Sequence, residues 1–311
     1  MLRLKFSLLA TEKCISVLKW RIIETRWREK TSLVQGIMAG FFFGTSAIFI
    51  RFIAGLDGFT IGFYRLLLAS CLLLIIMPVL KQRLTYFSRG VSFWKLSILG
   101  LLLGLHFATF ISSVKVTTVI NATVLVNTTP AITLIIYWAW SKEMPPITKL
   151  LGLLLCMSGI FLISMAEISF SSPSMIGDLM ALTAAALWAA YLVIGKPIRE
   201  KIDIISAMTP IYFVGCLVLM MLSLTTGGFK FPTLNQWAPL VGLAIFPTAI
   251  GHTLHFSSMK ALRPYQTSVL ALLEPVVATI LAYFIFNEVP APPFVIGAVI
   301  VLLGIFLIVR Q

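Results

Sequence analysis

The sequence predicts an all-α polytopic membrane protein: ten transmembrane helices arranged as two inverted five-helix repeats, with both termini cytoplasmic. Three observations predict it. Hydrophobic residues make up 59% of the chain and charged residues 11%, a balance far from that of a soluble domain. Ten apolar stretches of spanning length can be drawn, at 32–53, 58–80, 93–114, 116–140, 147–166, 175–195, 204–226, 237–259, 264–287 and 293–310. Each is close to the roughly 20 residues that cross a hydrocarbon core about 30 Å thick. Finally, the chain repeats itself. Shifted by 145 positions, residues 106–163 match 251–308 at 15 of 58 places without a gap. Pro130 falls on Pro275, Glu143 on Glu288, Pro145 on Pro290, Gly152 on Gly297 and Gly159 on Gly304. Shared leucines are cheap in membrane sequence, but Ser112-Ser113-x-Lys115 recurring as Ser257-Ser258-x-Lys260 is not.

The formal charge of +13 is a topology signal rather than a nucleic-acid footprint. With the N-terminus inside, the cytoplasmic segments hold 20 of the 24 Lys and Arg, and the opposite side keeps Lys115, Lys230 and the boundary residue Arg51. This is the positive-inside bias. The organisation follows: a basic cytoplasmic tail over 1–31, a first five-helix repeat over 32–166 and a second over 175–310. The tail reads as a basic amphipathic helix on the inner membrane face or as an ill-ordered segment. Four scattered cysteines with no CxxC pair read as small buried hydrophobes.

Taken in order, the first span carries Gly36, Ala39, Gly40, Gly44 and Ser46 at spacings of three and four, a face for close helix packing. The second brings Arg65 inside from the outer boundary, either snorkelling or paired. His106 lies in the third. The fourth is unusually polar, with Asn121, Thr123, Asn127, Thr128 and Thr129 ahead of Pro130; its NAT and NTT sequons fall within the span. The fifth is a plain helix with Gly152 and Gly159 on one face. Trp188 and Tyr191 sit at mid-depth in the sixth, where the shift matches them to Phe43 and Ser46. The eighth holds Pro247, Gly251, His252 and His255, and the ninth holds Glu274-Pro275 near its middle. A carboxylate there costs several kcal/mol without a partner, a proton or water. Pro275 also frees the carbonyl of residue 271, and open backbone at that depth is tolerated only against protein or a wet cavity. Five spans per half is an odd number, so the second copy inserts upside down. Inverted repeats with interrupted helices near the midplane are the architecture of many secondary transporters.

These pieces carry a resemblance. FFFGTSAIFIRF in the first span, FYRLLLA in the second, LWAAYLV in the sixth and LLEPVVATILAYFIFNE in the ninth resemble the drug/metabolite transporter superfamily, of the EamA type, across residues 32–310. The resemblance implies two inverted halves around a central cavity and alternating access for a small organic solute. Where the second copy has LLEP the first has NTTP, so any role of the carboxylate is asymmetric.

The candidate substrate-pathway residues are Glu274, Asn127, Thr128, His252, His255, His106, Trp188, Tyr191 and Arg65. Glu274 reads as a proton carrier or counter-charge, or as a glutamate that holds the broken helix together. Asn127 and Thr128 bind substrate or satisfy the carbonyl freed by Pro130. The histidines read as cavity lining or proton relay, since one i,i+3 pair is poor support for a metal cage. Trp188 and Tyr191 stack on a substrate ring or simply pack. Pro130 and Pro275 are structural breaks. The expected function is non-ATP-driven transport of a small metabolite such as an amino acid or nucleoside-like compound, for no phosphate-binding GxxxxGK[ST] loop occurs. The rivals are an intramembrane enzyme built on His252, His255 and Glu274, which lacks GxSxG or HExxH, and a membrane scaffold. No catalytic residue, metal or cofactor is expected. The expected partners are the lipid bilayer, the metabolite and protons as coupling ion, without nucleic acid. A homodimer is an allowed assembly, and the expected location is the cytoplasmic (inner) cell membrane.

Overall fold

The computed structural model describes residues 2–117, 119–165 and 175–310. Among them ten helical spans are long and apolar enough to cross a membrane. The helices are α1 (Leu2–Arg51), α2 (Gly58–Val79), α3 (Phe93–Val116), α4 (Val119–Val126), α5 (Thr129–Ser141) and α6 (Ile147–Met165). The second half supplies α7 (Met175–Lys201), α8 (Ile204–Thr225), α9 (Leu234–Leu243), a π-helical segment Ala244–His252, α10 (Thr253–Ser258), α11 (Pro264–Leu270), α12 (Leu273–Phe286) and α13 (Pro292–Val309). The first span is part of one continuous helix that begins at Leu2, so the basic segment is helical backbone rather than ill-ordered.

Local chemistry sets the ends. Asp57 caps α2 by accepting from Phe59 N and Thr60 N at 2.9 and 3.1 Å, which satisfies two otherwise orphan donors. Gln236 Oε1 accepts from Thr233 N at 2.8 Å at the start of α9. Helices α5 and α12 both stop on a left-handed residue, Lys142 (φ 59°) and Asn287 (φ 56°), which are 145 positions apart. Each is followed by the repeated Glu-x-Pro, so the repeat reproduces backbone conformation as well as sequence.

The packing obeys the same two-fold relation. Helix α3 packs on α7 and α8, and its counterpart, the π segment with α10, packs on α1 and α2. Helices α4 and α5 lie on α7, while α12, with a smaller share from α11, lies on α1. The self-related pairs α2 with α8 and α6 with α13 close the set. One contact breaks the symmetry. Helix α5 packs against α11, whereas α12 makes no comparable contact with α4 among the described residues.

The most extensive pairing is α6 with α13, and glycine makes it possible. A Cβ at Gly159 would stand 2.6 Å from Gly297 O and 2.7 Å from Val301 Cγ2, and one at Gly304 would stand 2.6 Å from Gly152 O. Such close approach supplies the van der Waals packing that substitutes for hydrophobic drive inside lipid. Gly159→Leu should therefore cost about 1–3 kcal/mol and lower the thermal midpoint in detergent, while the exposed neighbour Ser158→Ala leaves it in place. Equal midpoints for both variants would contradict this packing.

Candidate functional site

Three prolines determine where the polar groups of this site are spent. A proline frees the carbonyl four residues before it, and a freed carbonyl inside a membrane protein must find a donor. For Pro130 that carbonyl belongs to Val126, and Thr129 Oγ1 donates to it at 2.6 Å. For Pro275 it belongs to Ala271, and the backbone N–H of Glu274 donates to it at 2.9 Å. Thr129 and Glu274 are repeat equivalents. The first spends its side chain on the break, and the second leaves its carboxylate unspent. The structure separates the fourth and the ninth span each into two helices, with Pro130 and Pro275 in the first turn of the second piece, where a missing N–H costs little.

For Pro247 the freed carbonyl is that of Leu243. Thr248 Oγ1 donates to it at 2.8 Å, as the chain widens into the π-helical segment. The same hydroxyl accepts from Arg65 Nε at 2.6 Å, and the Arg65 guanidinium lies 4.6 Å over the Phe107 ring. Tyr212 holds the turn from outside, donating to Thr248 O at 2.8 Å. Arg65 is buried and does not snorkel to the boundary. Its Nη groups make no hydrogen bond to the protein. Glu274 is half-buried at the start of α12, and its carboxylate makes no ion pair among the described residues.

Beside Arg65 lies an aromatic cluster that includes Phe107. Phe43 and Trp188, repeat equivalents, meet edge to face at 6.1 Å, and Phe107 meets its own equivalent His252 at 5.4 Å. The two-fold axis therefore passes between these pairs. His106 and His255 flank Trp188 at 5.1 and 5.5 Å. Both are committed to backbone carbonyls, His106 Nδ1 to Ala184 O at 2.9 Å and His255 Nε2 to Thr267 O at 3.0 Å. His252, 6% exposed, makes ring contacts and no hydrogen bond. Trp188 Nε1 is likewise buried with no partner. A buried donor left this way costs about 1–3 kcal/mol. Among the described residues no three of His, Cys, Asp and Glu converge as a metal-ligand set.

The other candidates fall outside this group. Tyr191 is packed in the core, its ring on Phe256 and its hydroxyl toward Met208 Sδ at 3.7 Å. Thr128 Oγ1 serves Leu125 O at 2.6 Å, a backbone duty. Asn127 is half-buried at the break, with no hydrogen bond of its own. Asn121 and Thr123 lie where side chains are not described. Sequence reading passed over Phe43, Phe107 and Thr248 as site residues. The available signals were the 145-residue shift that sets Phe43 on Trp188 and Phe107 on His252, and the hydroxyl that follows Pro247.

At the Lys/Arg-rich end of the bundle, α5 and α11 are latched together. Tyr137 and Tyr265 are 6.0 Å apart by ring centroid, and Arg263 pairs with Glu143 at 3.4 Å. The Tyr265 hydroxyl, with the Glu143 carboxylate nearby, pushes the Arg263 guanidinium further up from its ordinary value. At the opposite end, Arg51 pairs with Glu288 and lies 4.1 Å over the Phe286 ring. That contact joins α1 to α12 and its C-terminal turn and leaves α4 uninvolved.

Comparison with known proteins agrees with this arrangement. The model of the EamA-like transporter family matches residues 30–165 and again 175–310. A protein of Archaeoglobus fulgidus named "Uncharacterized transporter" is 30% identical over 268 residues, 84% of this chain and 91% of that protein. "Uncharacterized transporter YyaM" of Bacillus subtilis is 27% identical, over 86% of this chain and 91% of its own length. A solved structure titled "Crystal structure of protein" superposes with a TM-score of 0.77 at 16% identity, covering 89% of this chain and 96% of that one, a likeness of fold. With both halves matched and a relative at 30% identity across most of its length, the chain belongs to the EamA-like transporter family.

Proposed function

We propose that the chain is a secondary transporter for small zwitterionic metabolites of the amino-acid type, with Arg65 and Glu274 as the opposed charges of its binding site. The observation that carries this reading is that both side chains are left unspent. Arg65 is held by Thr248 and Phe107 with its Nη groups available, a geometry suited to a substrate carboxylate. Glu274 is released from structural duty by its own backbone N–H and stands ready for an ammonium group or a proton. Trp188, Phe43 and Phe107 supply the apolar wall between them, and Trp188 Nε1 and His252 offer polar contacts for orientation. A nucleoside-like solute, which carries no such charge pair, fits less well. The enzyme alternative on His252, His255 and Glu274 is disfavoured because His255 is already committed to a backbone carbonyl.

The broken symmetry supports a direction of opening. With the latch between α5 and α11 made and the equivalent contact between α12 and α4 not comparably made, the protein is closed toward its Lys/Arg-rich end. By the positive-inside rule that end is cytoplasmic, so this state opens outward. Exchanging the conformations of the two halves generates the inward-open state, in which the Glu143–Arg263 contact separates.

In proteoliposomes loaded with a mixed amino-acid pool, counterflow of a labelled neutral amino acid should fall about 10–100-fold in Arg65→Gln, the loss expected for a charged hydrogen-bond partner. Undiminished flux in that variant, or flux for no zwitterion in the native chain, would contradict the reading. Glu274→Gln should keep the native thermal midpoint, since the backbone bridges the Pro275 break, yet lose the acceleration of flux by a pH gradient. A large drop in midpoint would make Glu274 a structural residue instead. Spin labels at K142C and K260C, exposed positions that leave Glu143 and Arg263 in place, should show a distance that lengthens with substrate turnover; a single unchanging distance would oppose the latch.

A further inference from the structure

Away from the charge pair, the flank formed by α2, α8 and the connection 80–92 holds a crevice of about 140 Å³. Leu74, Leu84, Phe93, Pro210 and Phe213 give it an apolar wall. Ser70 and Thr209 also line it, but their hydroxyls are spent, Ser70 Oγ on Thr209 O at 3.2 Å and Thr209 Oγ1 on Ile205 O at 2.9 Å. The crevice runs from the helix ends to Ser70 and Phe213, each nine residues from the end of its helix. At about 1.5 Å per residue that depth is roughly 14 Å, close to one leaflet of a core about 30 Å thick. Leu74, Leu84 and Phe213 are 48%, 45% and 48% exposed, so the crevice opens on the surface that faces lipid.

Its mouth is basic. The connection and the first turn of α3 carry Lys81, Arg83, Arg89 and Lys95 with no Asp or Glu between 80 and 95. All four are exposed and none enters an ion pair within the structure. The nearest carboxylate in contact with this loop, Asp203, accepts from Thr85 Oγ1 at 3.4 Å. Phe87 and Trp94, 72% and 73% exposed, are placed as interfacial anchors. At the crevice itself stands Tyr86, 8% exposed, with its ring against Phe87 at 4.4 Å. Among the described residues its hydroxyl makes no hydrogen bond.

We propose that this crevice is a binding site for an anionic phospholipid, one acyl chain lying along α2 and α8 and the headgroup phosphate held among Lys81, Arg83 and Arg89, with the Tyr86 hydroxyl donating to it. Apolar depth alone would take any lipid. Four uncompensated cations and an unspent phenol hydroxyl select an acidic one, and each basic residue near a membrane surface contributes about fivefold in affinity.

The test is native mass spectrometry of the full-length protein released from detergent micelles doped with phosphatidylglycerol or with phosphatidylcholine of the same chains. Phosphatidylglycerol should be retained at least about tenfold more, by a single molecule. Neutralising Lys81, Arg83 and Arg89 to Gln should remove that preference, and Tyr86→Phe should reduce it. Leu74→Trp, which fills the crevice at a lipid-facing position, should remove retention while the basic mouth stays intact. Equal retention of both lipids, or retention unaffected by Leu74→Trp, would overturn the proposal. So would equal displacement of the bound lipid by inorganic phosphate and by phosphatidylglycerol, because the site would then read the anion alone. Neutralisation at exposed positions leaves folding intact, and an unchanged thermal midpoint in each variant verifies that.

Discussion

A carbonyl that loses its helical donor inside a membrane has to find another, and at the three prolines of the site this protein meets that demand in two ways. A threonine hydroxyl serves the break at Pro130, a backbone N–H serves the break at Pro275, and a second hydroxyl serves the break at Pro247. The choice of donor decides which side chains remain unspent. Thr129 is consumed. Glu274 is not. Thr248 is doubly used, because the lone pair it keeps after donating to Leu243 O is what fixes Arg65. The placement of both site charges thus follows from repairing backbone.

The frame around them is two-fold and the charges are not. Phe43 faces Trp188, Phe107 faces His252, Gly159 faces Gly297 and Gly152 faces Gly304 across the same relation. Arg65 and Glu274 have Pro210 and Thr129 as their equivalents, so each half contributes one charge that the other lacks. A symmetric scaffold permits two mirror conformations of nearly equal energy, and an asymmetric site gives a bound solute one orientation in both. The alternating access proposed for this chain draws on both properties.

Much of this was legible in the sequence. Composition and span length give the ten helices, and parity gives the inversion. The 145-residue shift gives the packing pairs, because residues on a two-fold axis must meet their own equivalents. The family resemblance is confirmed over both halves. Less legible was how hydrogen bonds are allotted. Nothing in the one-dimensional pattern says that Thr129 turns back on Val126 while Glu274 stays free, since both immediately precede a proline. Tyr191 and Trp188 lie three apart on α7, and the sequence treats them alike. The structure sends one into the core and the other to the axis, because α3 and α8 close on different sides of that helix. The π-helical widening at Ala244–His252 was also unread, although Pro247 followed by Thr248 carries its cause.

The most direct test of the charge pair is to remove ligand groups and residue groups in parallel and measure binding by calorimetry. Leucine, its amide and its deaminated carboxylic acid would be titrated into the native protein, Arg65→Gln and Glu274→Gln. If Arg65 holds the carboxylate and Glu274 the ammonium, Arg65→Gln weakens leucine and the deaminated acid but not the amide. Glu274→Gln then weakens leucine and the amide but not the acid. Losses that are the same for all three ligands in both variants would contradict the pairing, and with it the assignment of this site.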